Sequence, residues 1–276
     1  MYSICTLANK NALHDLKVFL FTLNYWNKEE KPNLYIYCDS VIETFLKTQT
    51  YYKGRIFIKN ALEQYTNYDR KMMEALPGKE FPTLFGDFVC EKMNLMNWVF
   101  ETEQHTLFCD ADICFLGKLP VIDTSKKLVL SRHMIREYDE KRFGIYNAGF
   151  LFVGDKTIPN KWKTYTKSSS FFEQKSMEDL ALEFKDSLDE FPLQNNYGWW
   201  RMFQGKESVE VLKSKWSLRI GTIESSNIHV EGKPLLSVHT HFKTDDYITN
   251  EFNKFVLHYL SKFSKMKVFV NFLKTF

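Results

Sequence analysis

Three apolar runs separated by helical spacing constrain most strongly what this chain can fold into. The run YSICTLA (2–8) stops at Asn9, and Leu13, Leu16, Val18, Phe19, Leu20 and Leu23 then recur on one helical face up to Trp26. LYIYCDS (34–40) is the second run, a helix is expected over roughly 40–48, and GRIFI (54–58) is the third. Strand, helix, strand, helix, strand at this spacing predicts right-handed crossovers and a mostly parallel sheet, an α/β fold. Residues 60–88, with Pro77-Gly78 and Pro82 as breakers, read as irregular. CEKMNLMNWVFE (90–101) then reads as a helix running into TLFCDAD. Further strands are expected at KLVLSR (127–132), AGFLFVG (148–154) and LLSVHTHF (235–242), and TKSSSFF (166–172) reads as a loop.

The chain is long enough to bury a substantial core, and one domain over 1–250 is the economical division. Over 251–276 an amphipathic helix is expected to pack on it. Phe252, Phe255, Val256, Tyr259, Leu260, Phe263, Met266, Phe269 and Val270 recur at helical spacing there, decorated by Lys254, Lys262, Lys265, Lys267 and Lys274. A basic amphipathic helix also suits peripheral membrane contact. A net charge of +3, concentrated in no Lys/Arg run, argues against a nucleic-acid partner. Five cysteines, an odd number without CxxC spacing, point to reduced thiols inside the cell. No window approaches the ~18 apolar residues of a spanning helix, and MYSICTLANKNALHDL lacks the pattern of a signal peptide. A cytoplasmic protein without its own transmembrane anchor is the expectation.

Within HTLFCDADICFLGKLP (105–120), a strand-like run delivers Asp110 and Asp112 and returns at once to apolar residues. On an extended chain these carboxylates share a side about 6–7 Å apart, where they repel by roughly 3 kcal/mol at an effective dielectric near 20. A divalent cation removes that penalty. Few protein oxygens plus phosphate oxygens suit Mg²⁺ or Mn²⁺, and the end of a strand is where open α/β sheets bind ligands. The chemistry suggested is a metal acting as Lewis acid on the diphosphate of a nucleotide-linked substrate. A solvated turn carrying two Asp is the plain alternative.

On these residues the sequence resembles the GT-A-fold glycosyltransferases, which carry a metal-binding Asp-x-Asp and use a nucleotide-sugar donor. FCDADICFLGKLP matches the pattern of apolar strand, Asp-x-Asp, apolar residues and a turn with Pro. ICTLANKN resembles the nucleoside-holding first strand and loop, and IYNAGFLFVGD the Asn-x-Gly strand beside the donor sugar. SMEDLALE resembles the acidic helix start facing the acceptor, and LLSVHTHFK the late strand carrying a metal-binding His and a phosphate-binding Lys. The likeness spans roughly residues 2 to 245 and implies a Rossmann-like GT-A fold with a C-terminal helical appendage.

The resemblance implies metal ligation by Asp110, Asp112 and one of His239 and His241, with Mn²⁺ or Mg²⁺ as the ion. It places Thr6, Ala8, Asn9 and Asp39 near base and ribose, Lys92, Ala111 and Lys243 near the diphosphate, and Asn147 and Gly149 near the sugar. Glu178 and Asp179 become the catalytic carboxylates, with Asp179 as base if the reaction inverts. That pair departs from the Asp-Gln of many retaining members. The plain reading of these carboxylates is favourable placement at a helix start. Trp199 and Trp200 suit either a sugar platform or a core.

The implied activity is transfer of a sugar from a nucleoside-diphosphate sugar to a hydroxyl of a carbohydrate-type or lipid-linked acceptor. Two other readings compete. A haloacid-dehalogenase-like phosphatase would use Asp110 as nucleophile with KTDD (243–246) as its later acidic motif, but its Asp pair usually follows the first strand. A catalytically silent nucleotide-sugar-binding protein would keep the same residues without turnover.

Overall fold

The computed structural model describes residues 2–219 and 225–275; the side chain of Lys265 also lies outside the described set. The apolar runs fold as their pattern dictates. Strand β1 (Ser3–Ala8) leads to helix α1 (Leu13–Trp26), β2 (Leu34–Cys38) to α2 (Ser40–Thr48), and β3 (Ile56–Asn60) to α3 (Arg70–Ala75) and α4 (Leu84–Val99). Helix α4 runs into β4 (Thr106–Cys109). All four strands are parallel, with β1 in the middle: Cys5 lies opposite Tyr35 on β2 and Phe108 on β4. Alternation along β1 sends Ile4 and Ala8 into one apolar layer with α1, and Cys5 and Leu7 into the other with α4. With helices on both faces, β1, β2 and β4 are buried throughout.

The chain continues through β5 (Ile113–Phe115), β6 (Leu128–Arg132), α5 (Glu137–Phe143), β7 (Tyr146–Val153), α6 (Ile158–Thr166), α7 (Phe172–Lys175) and α8 (Met177–Glu183). Then come β8 (Leu188–Glu190), β9 (Tyr197–Gly198), α9 (Trp199–Phe203), α10 (Val209–Ser214), β10 (Trp216–Leu218), β11 (Ile228–Val230), β12 (Lys233–Pro234), β13 (Ser237–His239), α11 (Tyr247–Leu260) and α12 (Lys267–Lys274). The main sheet has the order β3-β2-β1-β4-β7-β6-β8, and β7 runs against its neighbours β4 and β6. A small sheet, β5-β13-β9, matters most for the site. It sets His239 opposite Ile113 on one side and Gly198 on the other.

Three details depart from the sequence expectations. Helix α4 starts at Leu84, inside the segment expected to be irregular, because the Thr83 side chain caps it by accepting from Gly86 N at 3.1 Å. Pro82 precedes that cap instead of breaking a helix. The late strand is short, ending at His239, so His241 lies beyond it. The C-terminal stretch is two helices joined by a turn at Ser264–Met266. Phe252, Val256, Leu260, Phe269 and Val270 bury that stretch's apolar face in the core shared with α1 and β5. No described helix is long and apolar enough to cross a membrane. The five cysteines are buried and unpaired as disulfides.

Candidate active site

Between β4 and β5 the chain turns at Ala111-Asp112 instead of staying extended, with Ile113 N donating to Asp110 O at 3.2 Å. The turn draws the acidic side chains together. One ligand atom each from Asp110, Asp112 and His239 lie within 4.8 Å of one another, closer than the extended-chain spacing predicted. At 4.8 Å two carboxylates repel by about 3.5 kcal/mol at an effective dielectric near 20. Lys92 supplies part of the compensation. Far from being a solvated surface lysine, it is buried on α4, with Nζ 3.3 Å from Asp110 Oδ1, 2.9 Å from Glu173 Oε1 and 3.2 Å from the carbonyl of Ala148.

The two carboxyls respond differently to this setting. Burial pushes Asp110 up, against the pull of Lys92. Burial also opposes ionisation of Asp112, but His239 and then His241 outweigh it and hold that carboxyl well below the usual range. His239 presents Nε2 at 3.0 Å from Asp112 Oδ1 and 3.9 Å from Asp110 Oδ2, while Nδ1 meets Asn196 Oδ1 at 3.2 Å. The indole of Trp200 stands edge-on to the His239 ring, centroids 4.8 Å apart. Trp200 is thus a wall behind His239 and not an open sugar platform. Gly149 leaves room for the cluster, since a Cβ there would lie 2.3 Å from Asp110 Oδ2 and 2.5 Å from His239 Cε1. Two carboxylates and one imidazole on rigid strand ends fit a divalent cation such as Mn²⁺.

His241 stands beside this group without joining it. Its Nδ1 is 2.8 Å from Asp15 Oδ2 and its Nε2 is 3.5 Å from Asp112 Oδ2, so two carboxylates flank it. Asp112 first, and then Asp15, push its pKa up to about 10. Of the two histidines left open by sequence, His239 is the one whose position completes the cluster.

A cleft of about 320 Å³ opens over the acidic turn. Asp110, Ala111, Asp112, Asn147 and Gly149 form its floor, Lys92, Phe85 and Phe88 one wall, and Phe171, Phe172, Glu173 and Gln174 another. Several residues expected there lie elsewhere. Asp179 is exposed on α8, and Glu178 accepts from Ile145 N at 3.0 Å and from Lys175 Nζ at 2.8 Å beside a different pocket. The residues that reach the cleft are Glu173 and Gln174, five positions earlier in the same acidic stretch. The nucleoside segment reaches it through Leu7 and Ala12, because alternation turns Thr6 and Ala8 to the opposite face of β1. Asn9 is spent locally, accepting from Asn11 N at 3.1 Å.

Asp39 is buried and fully engaged: it caps α2 by accepting from Ile42 N at 2.9 Å, and accepts from Lys10 N at 2.7 Å and Thr66 Oγ1 at 3.1 Å. It holds the loop after β1 from a fully buried position and does not line the cleft. Lys243 is exposed, 3.2 Å from His14 Nε2. Asp246 of KTDD caps α11, accepting from Thr249 N at 2.8 Å, which is a helix-start role. Sequence reasoning missed Asp15, Glu173, Gln174 and Asn196. The EQ pair in FFEQKSMEDL was a readable signal, masked by the neighbouring Glu-Asp pair.

Solved structures share this architecture. The galactosyltransferase LgtC, in complex with donor and acceptor sugar analogues, matches 95% of this chain and 96% of its own at a TM-score of 0.57 and 10% identity. The glycosyltransferase GlyE of Streptococcus pneumoniae TIGR4 matches 97% of this chain and 65% of its own, with TM-score 0.53 and 16% identity. Mouse xyloside xylosyltransferase 1 in its apo form matches 75% of this chain and 95% of its own, with TM-score 0.50 and 12% identity. No protein-family model and no curated protein matches the sequence. The structural neighbours are GT-A-type glycosyltransferases, and the fold of this chain is the GT-A fold.

Proposed function

We propose that this chain is a metal-dependent glycosyltransferase that moves a sugar from a nucleoside-diphosphate sugar to a hydroxyl of a carbohydrate-type acceptor. The observation that carries the reading is the convergence of Asp110, Asp112 and His239 at the carboxyl end of the sheet, beneath a cleft walled by Glu173 and Gln174. Those three residues would hold Mn²⁺ or Mg²⁺. Bound there, the cation supplies Lewis-acid stabilisation of the departing diphosphate.

The chain's own groups do the rest. Lys92 ties Asp110 to Glu173 and keeps the floor and one wall of the cleft in register. Gly149 and its neighbours let a sugar approach the backbone. Gln174 donates its Nε2 to Phe143 O at 2.9 Å, so Oε1 is the atom it offers to a ligand. An active-site glutamine-to-glutamate variant of LgtC is among the similar structures, and Gln174 is the candidate for a comparable role here. Asp179, exposed on α8 and outside the cleft, is not placed to act as a base there. Lys243, beside His14 at the surface, is the candidate to meet phosphate as a point charge.

A cytoplasmic location fits the reduced cysteines. Any membrane contact of the C-terminal helices would be electrostatic, through Lys254, Lys262, Lys267 and Lys274, since their apolar face is taken by the core. The decisive experiment incubates the protein with a panel of nucleotide sugars, with Mn²⁺ or with chelator, and measures nucleotide release. Mn²⁺-dependent release from one donor is expected. Phosphate release from a generic monoester, indifferent to nucleotide sugars, would replace this reading by the phosphatase, and donor binding without turnover by the silent binding protein.

A further inference from the structure

Behind His239 runs a buried chain of side-chain hydrogen bonds bracketed by two backbone groups. At one end Gly149 N–H, which can only donate, reaches Asn147 Oδ1 at 3.1 Å. At the other, Gly144 C=O, which can only accept, meets His133 Nδ1 at 2.9 Å. Between them Asn147 Nδ2 lies 3.3 Å from His133 Nε2. The brackets settle every orientation. His133 donates from Nδ1, so its Nε2 accepts from Asn147 Nδ2, and Asn147 Oδ1 is left as an acceptor.

Asn196 meets that acceptor. Its Nδ2 donates to Asn147 Oδ1 at 3.0 Å and to Ser131 Oγ at 3.1 Å. Both amide hydrogens are thereby committed, and Oδ1 must face His239 Nδ1 at 3.2 Å. Flipping the amide would set two acceptor oxygens against each other in a buried place, at a cost no water could relieve. His239 is therefore protonated on Nδ1, and Nε2 is the ring atom turned to the carboxylates of Asp112 and Asp110. Asn196 and Ser131 are fully buried, and His133, Asn147 and His239 are nearly so.

We propose that Asn196 is a positioning residue: through this chain it fixes His239 as the Nδ1–H tautomer and aims Nε2 at the cation. The same chain gives the Asn147 side chain an internal duty in place of the sugar contact that sequence suggested. The inference rests on the cation reading of the site.

The test labels histidine with ¹⁵N and reads the His239 tautomer from two-bond correlations in the metal-free protein, then measures Mn²⁺ affinity from the electron paramagnetic resonance of free ion. Wild type should show Nδ1–H. Asn196→Leu, similar in volume but without the amide, should lose that preference and bind Mn²⁺ about 10- to 100-fold more weakly. Should that variant not fold, Ser131→Ala removes one of the two acceptors that hold the amide and should shift both readouts in the same direction. An Nε2–H tautomer in wild type, or unchanged tautomer and affinity in the variants, would overturn the proposal while leaving the transferase reading intact. A wild type that takes up no Mn²⁺, yet whose Nδ1–H tautomer depends on Asn196, supports the relay and removes the cation-dependent transferase.

Discussion

The sheet has a depression at each end, and the two are built on opposite terms. At the amino ends of β1 and β2 lies a cavity of about 870 Å³ lined by Tyr2, Tyr25, Trp26, Leu119, Val121 and Met266, with Lys28, Glu29 and Glu30 exposed at its rim. At the carboxyl ends lies the smaller cleft, about 320 Å³, where Asp110 and Glu173 pair with Lys92 and Asp15 and Asp112 flank His241. In the larger cavity charges of both signs, Lys28 and Lys118 with Glu29 and Glu30, stand among apolar side chains. Packed carboxylates oppose folding, and strand ends where crossovers diverge are where α/β sheets bind ligands. The crowding, and not the volume, marks the candidate site.

The comparison breaks most readily at Asp112. Asp112→Asn should lower Mn²⁺-dependent turnover at least about 100-fold, since Lewis-acid stabilisation is worth several kcal/mol. Melting temperature should fall, because His239 and His241 stabilise that carboxylate in the folded state. Near-normal turnover in that variant would return the cleft to the status of an ordinary depression. Gly149→Ala probes the same floor sterically. The added methyl would displace Asp110 and His239, and a shift of about 1 Å can cost about 100-fold in rate; the expected result is that loss with the secondary structure retained by circular dichroism.

Acid sensitivity should originate at the cleft end. Burial, opposed by the bond to Gly144 O, pushes the pKa of His133 down to about 4. Above its unfolded value near 6.5 both states are neutral and the group contributes nothing. Below that, the unfolded chain takes the proton first, so stability falls as pH drops, by about 2–3 kcal/mol at pH 4.5. Urea unfolding of wild type and His133→Gln at pH 7 and 4.5 measures this, and an equal acid slope in both proteins would refute the assignment. Asp39→Ala sharpens the picture of the loop after β1. Losing the α2 cap should cost about 1–2 kcal/mol in the same urea assay and leave the donor KM unchanged. The smallest effect belongs to the other end: Val121→Ser, at a fully exposed position on the larger cavity, should stay within about 0.5 kcal/mol and leave turnover intact.

Legibility followed the range of the interactions. β1, β2, β4 and α1 were readable because each is written in consecutive residues as an apolar run or a 3.6-residue stripe. The Asp110-x-Asp112 pair was readable because charge inside such a run is anomalous. The start of α4 depended on one capping hydroxyl, Thr83, which a neighbouring proline obscured. Glu173 and Glu178 are both acidic residues at short helices, and only the packing of α7 against α4, through Lys92, selects the first. Asp39 and Asp112 each follow or close upon a strand end, yet one accepts from backbone and hydroxyl donors and the other faces imidazoles.

The sequence by itself determined the layered α/β architecture and the place of the acidic pair at a strand end, since both arise from neighbours along the chain. Tertiary structure decided which histidine faces that pair, that Lys92 is buried against it, and which way the amide of Asn196 points. Each of those depends on groups far apart in sequence that meet only when β13 pairs with β5 and β9, and a hydrogen bond or ion pair acts over a few ångströms whatever the length of chain between its partners.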